Sequence, residues 1–71
     1  MAENVRAEMV AKVLEVVVHA GDVVKEGDTL VLLESMKMEI PVLSEFNGTV
    51  DVVNVTKDDV IQQGDLIAVI S

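Results

Sequence analysis

Lys37 lies near the centre of the chain between two methionines, in the segment Leu33-Glu34-Ser35-Met36-Lys37-Met38-Glu39-Ile40-Pro41, where a short polar break separates two apolar strand patterns. A primary amine on a flexible four-carbon stem at such a break stands clear of the backbone, within reach of an acylating enzyme. A solvated alkylamine is an ammonium ion at neutral pH, and an ammonium ion is not a nucleophile. The base and the activated acyl group must therefore come from that enzyme. A turn lysine in an acidic protein is often a solubilising charge and no more. The two methionines weigh against that reading, because soft apolar side chains on an exposed turn bring the core no benefit and form a recognition surface.

The break between the strand patterns predicts a tight hairpin with Met36-Lys37 at its tip. Two-residue hairpin loops favour Asn-Gly, Asp-Gly or other glycine-containing pairs, because the turn needs positive φ. Methionine and lysine break that rule, and such local violations collect at functional sites. No other cluster offers comparable chemistry. His19 is the single histidine and there is no cysteine, so a metal site would need carboxylates almost alone. Asp22 and the Asp58-Asp59 pair lack the ligand spacing of a calcium loop, and turn formation accounts for them. Lys12, Lys25 and Lys57 have no methionine flanks and read as solvated charges. No catalytic set of residues and no metal site is expected.

The elements that must position Lys37 follow from an internal repeat. A shift of 37 positions aligns Gly27-Asp28 with Gly64-Asp65, Asp22-Val23 with Asp59-Val60, and Val13, Val16 and Val18 with Val50, Val53 and Val55. Each half reads as strand, turn, short apolar pair, turn and strand. The first half runs through Val13 to Val18, Val23-Val24 and Leu30 to Leu33; the second through Val50 to Val55, Val60-Ile61 and Leu66 to Ile70. Gly-Asp turns suit these junctions because glycine tolerates positive φ and aspartate bonds to nearby backbone. Neither half can bury its apolar face alone. Two short sheets packed about a pseudo-twofold axis solve that, which predicts an all-β flattened barrel or sandwich of about eight strands. Pro41, which cannot donate a ladder hydrogen bond, belongs at a strand edge or at a non-bonding position beyond the hairpin, and Phe46 is expected to plug the core.

Composition narrows the classes. Seventy-one residues make one domain over 1–71, too small for an enzyme with a deep cleft and a second substrate domain. Without cysteine, stability must come from apolar burial, and 16 valines suit a pleated surface. Phe46 is the sole aromatic residue and the net charge is −8, so the chain lacks a stacking platform for bases and repels phosphate. No apolar run approaches the roughly 20 residues of a membrane span, and the first residues lack the features of a signal peptide. A soluble cytoplasmic monomer is expected.

Glu34-Ser35-Met36-Lys37-Met38 is very similar to the attachment signature of the biotinyl and lipoyl carrier domains, which in the biotinyl branch usually reads Glu-Ala-Met-Lys-Met. The repeat, the Gly-Asp turns and the central lysine match that family across almost the whole chain. The resemblance implies two four-stranded antiparallel sheets, with Lys37 on a protruding hairpin of one and both termini in the other. It implies covalent biotin on Lys37, recognition by a biotin ligase through Met36 and Met38, and help from Glu34 in presenting the hairpin. Lipoyl domains usually carry aspartate before the lysine and alanine or valine after it, so the methionines favour biotin. A non-catalytic carrier shuttling carboxylate between biotin carboxylase and carboxyltransferase subunits is the implied role. The alternatives are a lipoylated carrier and a stand-alone modified domain that mediates interactions outside any carboxylase. Departures from the family pattern are Ser35 for alanine, Asp58 where glycine is common, and Ala11 where the first half often has glycine; no extra thumb segment is present.

Overall fold

At the start of the segment Ala11–Val16, buried Ala11 and Val13 flank exposed Lys12, the period-two pattern of a strand with one face on a core, until a register shift between Val13 and Glu15 interrupts it. The same logic shapes the rest of the computed structural model, which describes residues 2–71. Its strands are β1 (Glu3–Arg6), β2 (Ala11–Val16), β3 (Val23–Val24), β4 (Thr29–Ser35), β5 (Met38–Leu43), β6 (Gly48–Val53), β7 (Val60–Ile61) and β8 (Leu66–Ile70). They form two four-stranded antiparallel sheets, ordered β1-β8-β6-β3 and β5-β4-β2-β7. Among the described residues no helix is long and apolar enough to cross a membrane.

Adding 37 to the residue numbers carries β1 through β4 onto β5 through β8, and so carries each sheet onto the other. The irregularities obey the same operation. The register shift between Val13 and Glu15 in the β2–β4 pair recurs between Val50 and Val52 in the β6–β8 pair. The core follows too. One buried cluster contains Val18, Val24, Leu30, Val50 and Ile70, and their mates Val55, Ile61, Ile67, Val13 and Leu33 all lie in the other. Each half thus supplies apolar groups that the other half covers, which is why neither is a folding unit alone.

Four turns repeat one hydrogen-bond pattern. The backbone N–H groups of His19, Lys25, Thr56 and Gln62 donate to the carboxylates of Asp22, Asp28, Asp59 and Asp65, each three residues on, at 2.8–2.9 Å. The N–H of each aspartate donates back to the carbonyl of the residue that it caps. The turns also clamp the partner half: Gly21 N–H donates to the Val50 carbonyl while Val50 N–H donates to that of Asp22, and Asp58, Val13 and Asp59 repeat the arrangement. Gly21 has φ of 96° and its mate Asp58 has φ of 77°, so the family's usual glycine site is left-handed here as well and aspartate accepts it.

The third departure, Ala11, is explained by its mate. A Cβ on Gly48 would lie 2.5 Å from the Ser71 carbonyl oxygen and 2.9 Å from Cγ2 of Ile70, whereas the first half accommodates the methyl of Ala11 in the core. Gly48→Ala is expected to lower the unfolding free energy by about 1–3 kcal/mol, the usual range for forced overpacking. Urea titration of the two proteins measures it.

Two expectations need adjustment. β2 and β6 each begin and end two residues earlier than the valine pattern suggests: Ala11, Lys12, Gly48 and Thr49 are paired to β7 and β3, while Val17-Val18 and Asn54-Val55 fall beyond the strand ends. Phe46 is not a core plug: it is 47% exposed. The buried group in that loop is Ser44, whose hydroxyl donates to the Phe46 carbonyl at 2.6 Å, and this turn leaves the ring outside the barrel. Pro41 lies, as expected, in an edge strand, β5.

Candidate functional site: a hairpin tip

β4 and β5 pair in continuous register from Val31↔Val42 through Leu33↔Ile40 and Glu34↔Glu39 to Ser35↔Met38, which leaves a two-residue connection, Met36-Lys37. Both residues have positive φ, 53° and 64°. That is the backbone signature of the hairpin turn whose twist matches the flanking strands, here built without glycine or asparagine. Left-handed φ costs a residue with a Cβ roughly 1 kcal/mol, so the tip bears a strain that Asn-Gly would relieve. The long, regular pairing of β4 with β5 holds it in place.

The strain leaves three side chains projecting. Met36 is 91% exposed and Met38 63%, and Lys37 between them is also exposed. Lys37 forms no ion pair with any described residue, so its amine is free of competing partners. Among the described residues, the only lysine engaged in an ion pair is Lys12, whose ammonium lies 3.7 Å from the Asp58 carboxylate.

Glu34 is exposed on β4, between Lys12 of β2 on one side and Glu39 of β5 on the other. No ion pair joins it to Lys37, so it contributes charge at the base of the hairpin and no direct contact with the amine. The four residues singled out from the sequence, Glu34, Met36, Lys37 and Met38, therefore share one hairpin. Glu39 was missed. Glu34 and Glu39 sit at equal distances from the two-residue turn, so strict hairpin register could have revealed the facing pair. Like charges directly opposite one another destabilise a sheet, which makes the pair a local liability of the free protein. Among the described residues, no group of three or more potential metal ligands comes together.

The hairpin's pseudosymmetric counterpart is the region of the chain ends: Ile40 within β5 corresponds to Glu3 of β1, and Leu33 of β4 to Ile70 of β8. With extents of 32 × 18 × 17 Å, the molecule is elongated.

Residues 3–70 match the family described as "Biotin-requiring enzyme". The chain is 76% identical over 99% of its length to "Biotinylated protein TB7.3 homolog" of Mycolicibacterium smegmatis, covering 99% of that protein. It is 69% identical over its whole length to the protein of the same name from Mycobacterium leprae, covering all of it. Among solved structures it resembles the Kluyveromyces lactis urea carboxylase, with a TM-score of 0.93 and 32% identity over the whole chain. It spans only 6% of that much longer protein.

Proposed function

Because the chain belongs to the biotin/lipoyl attachment domain family, we propose that it is a biotin carrier whose Lys37 forms an amide with the valeryl carboxyl group of biotin. The observation that carries this reading is the free amine of Lys37 on a strained two-residue tip between two exposed methionines. The residues fit the group. Biotin needs one accessible, unpaired amine with room around it, and the tip supplies that without disturbing any core contact.

In the proposed modification, Lys37 Nζ gives up a proton to a base on the ligase and attacks the activated biotinyl carbonyl; the activating group leaves with its bonding electrons. The carrier supplies no catalytic group. Met36 and Met38 fill apolar recesses of the ligase, and the fixed turn presents Nζ in one direction, so little freedom is lost on docking. Glu34, together with Glu39, offers negative charge that a basic ligase surface would neutralise.

Once attached, biotin supplies the capacity to accept and release a carboxylate group. The barrel holds that group on a rigid base, and the lysine stem and acyl chain form the movable tether. Tethering raises the local concentration at each partner site without a new contact. A role between biotin carboxylase and carboxyltransferase subunits is supported by the likeness to the urea carboxylase. A single-domain chain over 1–71, acting as a monomer in the cytoplasm, is part of the same proposal. A stand-alone modified protein outside any carboxylase is the alternative, favoured by the mycobacterial relatives that match over their full length. Affinity capture of the biotinylated chain separates them: carboxylase subunits co-purify in the first case and are absent in the second.

Replacing both methionines tests the recognition surface. Met36→Gln with Met38→Gln is expected to lower ligase kcat/KM by about 10- to 100-fold, the loss of two apolar contacts in a desolvated recess, with the folded state unchanged by circular dichroism. An unchanged kcat/KM would remove the methionines from recognition.

A further inference from the structure

β1 and β5 are the outer strands of their sheets, and each leaves one backbone edge without a ladder partner. The two edges border a single groove of about 440 Å³, lined by consecutive residues of β1 and the loop after it and of β5 and the loop after it. Leu33 and Ile70, mates under the repeat, also line it, so the groove lies on the pseudo-twofold axis. Met9 and Phe46, mates likewise, stand at its sides as exposed apolar groups beside half-exposed Leu43. Glu3, Glu8 and Glu45 are also exposed along it, against one cation among the described residues, Arg6. Arg6 is turned to the Gly64 carbonyl at 3.0 Å.

The opposite pair of edge strands, β3 and β7, has two residues each and offers no comparable template. β5 carries Pro41, which cannot donate a hydrogen bond to an added strand. β1, with four residues and no proline, is left open beside an apolar groove.

We propose that this groove is a docking site for an extended segment of a partner protein, which adds to the free edge of β1 and alternates apolar with basic side chains. Its apolar side chains would lie on Phe46, Met9 and Leu43, and its lysines or arginines would meet Glu3, Glu8 and Glu45. Main-chain pairing supplies affinity in this mode and alternate side chains supply specificity. The charge selects the occupant: a chain of net charge −8 with three acids around the groove repels a second copy of itself and attracts a cationic strand. This inference does not rest on modification of Lys37, which projects from the hairpin tip.

The test uses the full 15N-labelled chain and a synthetic peptide of about seven residues that alternates lysine with valine, beside an analogue with glutamate for lysine. The account expects saturable amide shifts and slowed exchange in Glu3–Arg6, no binding of the glutamate analogue, and about tenfold weaker binding to Phe46→Ser, the fold-change of one lost aromatic contact. Glu8→Gln with Glu45→Gln, which alters exposed groups only, should weaken binding and reduce its salt dependence. Shifts spread over the acidic turns at Asp22, Asp28, Asp59 and Asp65, or no saturable binding, would overturn the proposal.

Discussion

Leu30→Ala will lower the unfolding free energy by about 3 kcal/mol, within the usual 2–5 kcal/mol for truncating a buried leucine. Leu30 is fully buried in the cluster with Val18, Val24, Val50 and Ile70. Its carbonyl accepts the N–H groups of both Val17 and Val18, which fixes the backbone around the site and limits collapse into the cavity. A domain of this size has on the order of 4–11 kcal/mol in total. The variant should therefore unfold at a far lower urea concentration with an unchanged m-value, measured by circular dichroism. A loss below about 1 kcal/mol would mean that the cluster repacks freely, contrary to the close interleaving of the two halves.

The second large effect separates stability from function at one turn. Met36→Asn combined with Lys37→Gly places at the tip the residues that its two positive φ angles favour. The double variant should gain about 1–2 kcal/mol in unfolding free energy, because the strain of two left-handed residues with a Cβ is relieved. It should also lose every trace of acylation at the tip, since the amine is gone. Thermal unfolding and intact mass measure the two sides. A variant of lower stability would mean that Met36 and Lys37 make stabilising contacts in the hairpin, against their exposure.

Such a trade explains why the tip was legible in the sequence. Met36-Lys37 violates hairpin turn chemistry between two well-formed strand patterns, and the violation is visible without coordinates. The repeat was equally readable, because its aspartate turns, three Gly-Asp and one Asp58-Asp59, do one job four times and the shift of 37 aligns them all. It led to about eight strands in two short sheets about a pseudo-twofold axis; four antiparallel strands in each sheet followed from the family resemblance, and the exchange of core residues between halves is visible only in the structure.

What local pattern could not supply was structure imposed from across the barrel. β1 has one apolar residue in Glu3-Asn4-Val5-Arg6 and no strand signal of its own; it is a strand because β8 pairs with it, as β4 pairs with its mate β5. Ala11-Lys12 and Gly48-Thr49 join β2 and β6 for a similar reason. Phe46 was misread because a lone aromatic residue in an apolar protein suggests a core, whereas its mate Met9 is also exposed and both stand at the groove between β1 and β5. Glu39 is the exception, because hairpin register counted from the Met36-Lys37 tip sets it opposite Glu34.

The most direct test of the central claim is the intact mass of the chain after co-expression with a biotin ligase and excess biotin, beside Lys37→Arg. The account predicts one biotinyl group on the parent and none on the variant, which keeps the charge and removes the acylatable amine. An unmodified parent under conditions that biotinylate an established carrier, or a variant that still gains the group, would contradict it.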